Sequence, residues 1–479
     1  MSAPHHTDER ITVHHGDCLD VLRSDTLGYP FELGYGPRLV PDNSVDAVVT
    51  DPPYGLGFMG KEWDSGKSFV ERRAAKSNHF DHVGGNHNPA NSADQQRTRL
   101  RENAAFGAWC EEWARECLRV LKPGGHMLAF GGTRTWHRLS CAVEDAGFEV
   151  RDSIAWLYGS GFPKSMNVAK AITGTQLGHG SNSGAIRRAT MGNEYEPSGV
   201  RGPRAGVTRR SDTGMANRDL PLTEDAEPWT GWGTALKPAF EPIVVGRKPL
   251  AGTVAVNVLT HGTGALNIDA CRVGSDSTRR SNTAEMGYHG GNLASSYNTG
   301  SELGRWPANV VLDESQAAEL DEQAPETGGA GRASGPSLRG ATDATVAYGG
   351  RGGWDGEPAY YGDSGGASRF FYVAKADQSE RVRVGGVAHP TVKPLDLMRW
   401  LVRLVSPPGG TVLEPFAGSG TTVEACILEG FRCVAIEREV DYLPLIRQRI
   451  ARRLDPVAAV RGAGGDGGLF DLLAQEGPS

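Results

Sequence analysis

Short apolar runs alternate with amphipathic stretches in the first third of the chain. The pattern predicts strands over 45–50, 126–132 and 148–159, helices over 104–121 and 134–147, and a strand that turns into a helix over 11–22. The helix over 104–121 ends at the strong breaker Lys122-Pro123-Gly124-Gly125. Strands that alternate with helices predict a parallel sheet with helices on its faces.

The same alternation returns near the carboxyl end. The predicted elements are an isolated strand over 239–250, renewed order at 368–375, a helix over 394–405, a strand, glycine turn, helix and strand over 411–437, and a helix over 441–454. The stretches 61–100, 166–233 and 251–367 lack a sustained period, which predicts loops and inserts, and 456–479 predicts a disordered tail.

Composition and charge narrow the class of protein. The formal net charge is -7 over 479 residues, so any contact with nucleic acid must come from a local basic patch. The seven cysteines include no CxxC pair, which argues against a disulfide framework or a zinc ribbon and favours a reducing compartment. The polar start MSAPHHTDER, and the lack of an apolar run of about 20 residues, predict a cytoplasmic protein without a membrane partner.

A glycine turn between two apolar strands is the first candidate for chemistry. Gly418 and Gly420 allow the backbone to approach a ligand, and Glu437 ends the next strand, where a carboxylate suits a ribose diol. The alternative is a turn that only packs a helix on a sheet. The run Phe416–Thr422 lacks the third glycine of a dinucleotide site and the lysine of a P-loop. The aromatic at 416 is compatible with an adenosine cofactor that has a zwitterionic tail.

The stretch TDPPY is the second candidate. Pro52 and Pro53 fix the backbone and carry no N–H, so their stretch offers rigid carbonyl acceptors beside the carboxylate of Asp51 and the ring of Tyr54. The alternative is a strand that ends in a turn. The tetrapeptide alone does not distinguish the two.

Four motifs together resemble the β arrangement of the amino-group DNA methyltransferases. They are DPPY at 51–54, LKPGG at 121–125, HPTVKP at 389–394 and EPFAGSGTT at 414–422, with the DPPY element before the FxGxG element. The stretches SGFPKSMNVAKAI and LKPAFEPIVVGRKPL resemble phage and prophage members of the family. Glu414 departs from the Asp that many members carry. The resemblance implies a circularly permuted Rossmann-like α/β fold with a mostly parallel sheet and helices on both faces.

The resemblance also implies the reaction, which is methyl transfer from S-adenosylmethionine to N6 of an adenine flipped out of double-stranded DNA. Asp51, Pro52, Pro53 and Tyr54 would be catalytic: the Asp51 carboxylate and the Pro52 carbonyl accept the amine's N–H groups, and Tyr54 stacks on the base. The implied cofactor-binding residues are Asp17, His389, Thr391, Lys393, Glu414, Phe416, Ala417, Gly418, Ser419, Gly420, Thr421 and Glu437. Among them Glu437 would hold the ribose, and Lys393 would pair with the methionine carboxylate.

The predicted domains are a catalytic half (11–165), a basic insert (166–233), a returning strand (234–250), a target-recognition region with a flexible Gly-rich part (251–367), a cofactor-binding half (368–455) and the tail (456–479). Arginines of the insert would contact DNA phosphates; they are Arg187, Arg188, Arg201, Arg204, Arg209 and Arg210. Trp229, Trp232 and Trp306 either stack on bases or pack in a core.

No metal site is expected, because neither His14, His15 and Cys18 nor His79, His82 and His87 have the spacing of a standard site. The alternatives are N4-cytosine methylation, methylation of RNA or protein, and a non-catalytic DNA-binding module. DPPY favours adenine, and the large inserts favour duplex DNA. The sequence leaves open whether the chain forms a homodimer, and whether it has a restriction partner.

Overall fold

The computed structural model describes residues 6–25, 37–56, 64–65, 68–71, 92–161, 165–176, 221–274, 304–324, 365–375, 377 and 380–454. The chain divides into two compact units. The sheet unit comprises Met1–Leu157 and Phe240–Ser479, and the insert unit comprises Tyr158–Ala239. The predicted arginines of the insert, the histidines at 79, 82 and 87, and the tail from 456 lie outside the described residues.

A ten-stranded sheet forms the frame of the described part of the sheet unit, in the order β1-β2-β12-β11-β3-β4-β6-β5-β7-β8. The strands are β1 (His6–Thr7), β2 (Ile11–His15), β3 (Val45–Thr50), β4 (Leu121–Phe130), β5 (Glu149–Leu157), β6 (Phe240–Arg247), β7 (Val310–Asp313), β8 (Tyr372–Ala374), β11 (Thr411–Glu414) and β12 (Arg432–Glu437). A separate hairpin is formed by β9 (Arg383–Val384) and β10 (Val387–Ala388).

Most neighbouring strands of this sheet are parallel. Strands β2, β12, β11, β3 and β4 form one parallel run, and β5, β7 and β8 form another. Strand β6 is antiparallel to both of its neighbours, and β1 is antiparallel to β2. Strands β11 and β12, which come late in the chain, therefore lie between β2 and β3, which come early in it. This arrangement confirms the predicted α/β class and the permuted order of the strands.

Helices cover the sheet. In the sheet unit they are α1 (Cys18–Arg23), α2 (Ser92–Val120), α3 (Trp136–Asp145), α5 (Val254–His261), α6 (Glu314–Gln323), α7 (Leu395–Val405), α8 (Thr421–Glu429) and α9 (Leu443–Leu454), and in the insert unit α4 (Val168–Gln176). Among the described residues, none of these helices is both long enough and apolar enough to cross a membrane.

The core forms on both faces of the sheet. Leu22, Trp113 and Leu139 from α1, α2 and α3 pack in one cluster with Val48 and Met127 of the sheet. Successive side chains of a strand point to opposite faces, so the neighbouring residues of β3 and β4 face away from this cluster. There α7 contacts β3 and β4 and packs on α8, which packs on α9. Helices on both faces agree with the predicted fold.

Two boundaries differ from the sequence prediction. Helix α2 begins at Ser92, so the loop predicted over 61–100 is wrong for its last part. Residues 96–101 of this first part are exposed and, apart from Leu100, polar, so no apolar face reveals a helical period. The helix ends at Val120, but strand β4 begins at Leu121, whereas the sequence predicted a strand only from 126. A register shift between Val45 and Ala47 accommodates it in the sheet.

Regular elements also occur where only irregular structure was predicted, namely α4 in 166–233 and α5, β7 and α6 in 251–367. Helix α5 shows why the pattern failed. It is delimited by the N-cap Thr253 and by Gly262 in the left-handed region, but it buries the polar Asn257 while Val256 and Leu259 are exposed. Its apolar side chains therefore do not mark the buried face on which sequence reasoning depends.

Trp229, Trp232 and Trp306 are exposed, which excludes the alternative that they pack in a core. In the insert unit, Trp229 and Trp232 are 42% and 60% exposed, and their rings meet edge to face with centroids 5.3 Å apart. In the sheet unit, Trp306 is 67% exposed and lies 5.5 Å from the guanidinium carbon of Arg272. Such rings are available for contact with a partner.

Candidate active site

The two sequence motifs meet at one edge of the sheet. Strands β3 and β11 are parallel neighbours, with Val48 opposite Leu413. Asp51 follows the carboxyl end of β3, and Phe416 follows the carboxyl end of β11. Because ligands of open α/β sheets bind outside the carboxyl ends of the strands, this edge is the expected place for a site. The DPPY segment and the glycine turn are therefore adjacent, as one reaction centre requires.

Asp51 is held by two neighbours. Its Oδ1 accepts a hydrogen bond of 2.8 Å from the Tyr54 hydroxyl, and its Oδ2 lies 2.9 Å from Nζ of Lys393. Pro52 is buried and Pro53 is half-buried. Thr135 donates to the Tyr54 carbonyl over 2.7 Å, which fixes the end of the segment. Lys393 and Thr135, from two other parts of the chain, thus hold the catalytic candidates of the DPPY motif in place.

Glu241 is a member of this group that sequence reasoning missed. Its Oε2 lies 2.9 Å from Nζ of Lys393 and 2.8 Å from the Tyr54 hydroxyl. It stands near the start of β6, which runs antiparallel to β4, so it reaches the edge where the parallel strands end. Glu241 lies in none of the four motifs and is 187 positions from Tyr54. The only signal was an acid near the start of the predicted strand over 239–250.

Lys393 joins the two carboxylates. Its ammonium lies 2.9 Å from Asp51, 2.9 Å from Glu241 and 3.0 Å from the Tyr54 hydroxyl. Burial alone would lower the pKa of Lys393, but the two carboxylates outweigh it and hold that pKa above its usual value. Burial, followed by the same two carboxylates, raises the pKa of Tyr54. At neutral pH Lys393 is therefore charged and Tyr54 is a neutral hydroxyl.

The glycine turn lies between β11 and α8. Gly418 and Gly420 have φ values of 52° and 82°, in the left-handed region that favours glycine. A side chain on Gly420 would lie 3.1 Å from the Ile446 Cα, and one on Gly418 would lie 3.1 Å from Nε2 of His389. His389 also contacts the backbone of Thr391 through Nδ1. The turn thus packs closely against α9 and the HPTVKP segment.

Glu437 stands at the end of β12, beside the turn. Its two carboxylate oxygens accept backbone N–H bonds from Gly418 (2.6 Å) and Glu439 (2.7 Å). Burial raises the pKa of Glu437 to about 7, although both of these hydrogen bonds act to lower it. The backbone N–H of Gly16 binds the Glu437 carbonyl over 2.9 Å, so Asp17 follows directly beside it. Asp17 caps α1 by accepting from Leu19 N–H.

Glu414 lies behind the turn and is 1% exposed. It accepts hydrogen bonds from the Thr50 hydroxyl, the Thr422 hydroxyl (2.6 Å) and Phe416 N–H (3.0 Å). Burial raises the pKa of Glu414 to about 8, so it is largely protonated at neutral pH. Glu414 therefore joins β3, the turn and α8.

The remaining cofactor candidates line the same turn. Ala417, Ser419 and Thr421 are buried. The ring of Phe416 packs against Trp109 and Trp113, with centroid distances of 5.5 and 5.4 Å. All the predicted site residues except the arginines of the insert therefore lie along one edge or directly behind it. The described residues contain no cluster of metal-binding side chains.

Comparison with known proteins places the chain in a family. Residues 45–174 and 339–448, half of the chain, match the N6_N4 family model, which is described as DNA methylase. The chain therefore belongs to the N6/N4 DNA methylase family.

Two curated relatives come from Haemophilus influenzae. The type II methyltransferase M.HindIII is 26% identical over 261 residues, which are 52% of this chain and 65% of that protein. The type II methyltransferase M.HinfI is 21% identical over 145 residues, 30% of this chain and 31% of that protein. The chain thus matches less than two thirds of the length of either relative.

Solved structures give weaker likenesses. TTHA0409 of Thermus thermophilus, described as a DNA modification methylase, has 15% identity and a TM-score of 0.35, with 92% of this chain and 95% of that chain covered. The PvuII DNA methyltransferase, described as cytosine-N4-specific, has 12% identity and a TM-score of 0.39, with 93% and 88% covered. With TM-scores below 0.5, neither likeness carries an argument about this chain.

Proposed function

We propose that this chain is a site-specific DNA methyltransferase that transfers the methyl group of S-adenosylmethionine to N6 of adenine in duplex DNA. The observation that supports it most directly is the adjacency of the Asp51–Tyr54 segment and the glycine turn, at the ends of neighbouring parallel strands. One segment offers acceptors for an amine, and the other is a close backbone turn with a carboxylate beside it. A methyl transferase needs these two features within reach of each other.

The chemistry of the amine explains the acceptors. An exocyclic amine is a poor nucleophile because its lone pair is delocalised into the ring. The Asp51 carboxylate and the Pro52 carbonyl would each accept one N–H and so localise that lone pair on nitrogen. Transfer would form a bond from the nitrogen to the methyl carbon and break the carbon–sulfur bond, whose electron pair would stay on sulfur, while the nitrogen would release one proton to solvent. Because the prolines keep the acceptors rigid, no ordering is required during the reaction.

The glycine turn fits the cofactor. S-adenosylmethionine supplies the electrophilic methyl group. Gly418 and Gly420 bring the backbone close to a ligand, Phe416 offers an aromatic surface, and Glu437 offers carboxylate oxygens for ribose hydroxyls. In this assignment Asp17 adjoins the adenine and His389 the methionine. The contacts of Lys393 with Asp51 and Glu241 favour a role on the side of the target amine.

Recognition of the target sequence is assigned to 166–367. Its basic insert would bind phosphates, which suits a chain whose net charge of -7 gives no general attraction for DNA. The exposed rings of Trp229 and Trp232 add stacking surfaces in the same stretch. Double-stranded DNA is therefore the proposed partner.

The product base is the decisive test. The chain is expressed in a host that lacks DNA methylation, and the digested DNA is analysed for modified nucleosides by mass spectrometry beside DNA from cells with an empty vector. N6-methyladenine is the expected product. N4-methylcytosine alone would retain the methyltransferase and correct the base, because both amines suit the same acceptors. DNA with neither base would contradict the proposed function.

A further inference from the structure

The charges around Asp51 do not cancel. Asp51 and Glu241 are two carboxylates, and Lys393 is the cation 2.9 Å from both. The ammonium has three N–H donors, and its three neighbours, the two carboxylates and the Tyr54 hydroxyl, can accept all three. The group therefore carries one net negative charge. Without Glu241, the positive charge of Lys393 would cancel the negative charge of Asp51, and the pair would be neutral.

This residual charge matters for the reaction of the proposed function. The amine nitrogen becomes positive as it takes up the methyl group, so a negative group beside it stabilises the transition state. A carboxylate that shares its cation with a second carboxylate is a stronger acceptor than one in a neutral pair. Glu241 therefore leaves more of the Asp51 charge to the amine.

The Tyr54 hydroxyl gives Glu241 a second task. One O–H donates to one acceptor at a time, yet it lies 2.8 Å from both Asp51 Oδ1 and Glu241 Oε2. When a target amine approaches Asp51, the hydroxyl can turn its proton to Glu241 without leaving its place. Asp51 Oδ1 then becomes available to the amine, and no buried donor is left without a partner.

We infer that Glu241 is a positioning residue for methyl transfer, which binds the Lys393 ammonium and receives the Tyr54 hydroxyl so that Asp51 keeps its charge and an open oxygen for the target amine. This inference rests on the proposed function. It assigns Glu241 no contact with the methyl group or the cofactor. The role predicts an effect on the methyl-transfer step, with cofactor affinity unchanged.

The first test compares two substitutions. Glu241→Gln preserves the shape of the side chain and removes its charge, whereas Glu241→Asp preserves the charge on a shorter side chain. Single-turnover methyl transfer to duplex DNA is measured at saturating cofactor, with cofactor affinity and thermal unfolding measured in parallel. We expect Glu241→Gln to slow transfer about 10- to 100-fold, and Glu241→Asp to remain faster than Glu241→Gln. A purely structural role predicts the opposite order.

Glu149→Gln is the matched control. Glu149 is a carboxylate on β5 that binds Arg247 at the other end of β6, over 2.5 Å. Its loss disturbs an ion pair on the same strand but leaves the charges near Asp51 unchanged, so wild-type transfer is expected.

A double-mutant cycle with Lys393→Met completes the test. If Glu241 acts through the shared cation, Glu241→Gln has little further effect once that cation is gone. If Glu241→Gln does not fold alone, the comparison is made in the Lys393→Met background only, where the ammonium that Glu241→Gln leaves half-paired is absent, and a large further loss of transfer there would overturn the inference. Equal factors in both backgrounds, or wild-type transfer by a folded Glu241→Gln protein, would overturn the inference. A wild-type protein without any transfer would instead contradict the proposed function, and the role of Glu241 with it.

Discussion

Glu414 illustrates how a buried carboxyl group ties stability to pH. Burial raises its pKa to about 8 in the folded protein, above the ordinary 4.5. The folded state therefore binds this proton more tightly than the unfolded state does. Its contribution to stability is complete below the unfolded pKa and is lost as the pH rises toward 8. Between the two pKa values the loss is about 1.4 kcal/mol per pH unit.

Glu414→Gln tests this directly. The amide stays neutral at every pH, so the variant lacks this loss, while Glu437 titrates equally in both proteins. At pH 5.5 we expect the two proteins to have similar stability, because the protonated carboxyl group of Glu414 and the amide of the variant each offer one carbonyl oxygen and a donor to the same neighbours. By pH 8.5 the variant should be the more stable of the two in urea unfolding. Parallel pH profiles would show that Glu414 is ionised in the folded protein.

At the scale of elements, the turn before α8 has a sharp requirement for glycine. Gly420 and Gly430 stand at opposite ends of α8 with similar φ values of 82° and 78°. A side chain on Gly420 would meet Ile446 at 3.1–3.2 Å, whereas one on Gly430 would meet nothing within 4 Å. A substitution at Gly430 therefore introduces backbone strain alone, whereas the same substitution at Gly420 adds a steric conflict with Ile446.

Gly420→Ala should weaken binding of S-adenosylmethionine and destabilise the fold by more than the roughly 1–2 kcal/mol of a left-handed alanine. Gly430→Ala should show that backbone cost alone and bind cofactor normally. Isothermal titration and urea unfolding of both variants make the comparison. Equal effects on cofactor affinity would argue against a cofactor site at the turn.

The packing of α8 on α9 depends on a buried ion pair. Glu424 and Arg449 are both fully buried, 2.5 Å apart, and Glu424 also binds Arg452 and Arg453. These arginines lower the pKa of Glu424 despite its burial, so its contribution to stability holds above the ordinary pKa and is lost as the pH falls.

Glu424→Gln leaves Arg449 buried without its counter-ion, which costs about 3–5 kcal/mol. Glu429→Gln on the same helix is the control. Its partners Arg399 and Arg403 are more exposed, with 36% and 30% of their side chains accessible, so a loss of about 1 kcal/mol or less is expected. Urea unfolding at pH 7 should rank the two variants in this order, and a similar loss for both would contradict it.

The sequence predicted correctly those elements and residues whose neighbours along the chain form a recognisable motif or apolar pattern. Asp51 and Gly418 stand in contiguous motifs, and β3 is a wholly buried, mostly apolar run, so each could be recognised from its neighbours. Glu241 could not, because only the antiparallel placement of β6 brings it to Tyr54. Helix α5 escaped because its buried residue is the polar Asn257, which binds the carbonyls of Pro123 and Thr263. Tertiary contacts decide both cases.

At the scale of the whole molecule, the two ends of the chain build the site together. Strands β11 and β12 insert between β2 and β3, so neither half has a complete sheet edge alone. Motif order predicted this permutation, but the long inserts gave no signal for their helices or for the exposure of Trp229 and Trp232. Side-chain exposure depends on packing that local composition does not encode.

DNA binding is the property to test in the insert unit. Trp229→Ala should weaken the affinity for duplex DNA that carries the target site by about tenfold if the ring stacks on a base. Leu236→Ala is the control, because Leu236 is 93% exposed in the same unit but has no aromatic face. Fluorescence anisotropy with labelled DNA measures both, and cofactor affinity should be unchanged. Equal affinities for the two variants would remove Trp229 from the DNA interface.

The most direct measurement for the whole account uses Asp51→Ala. Purified wild-type and variant proteins are compared for binding of S-adenosylmethionine and for transfer of its labelled methyl group to duplex DNA. The account predicts that the variant binds the cofactor as wild type does and transfers no methyl group, because it lacks the carboxylate that accepts a hydrogen bond from the target amine. Normal transfer by the variant would contradict it.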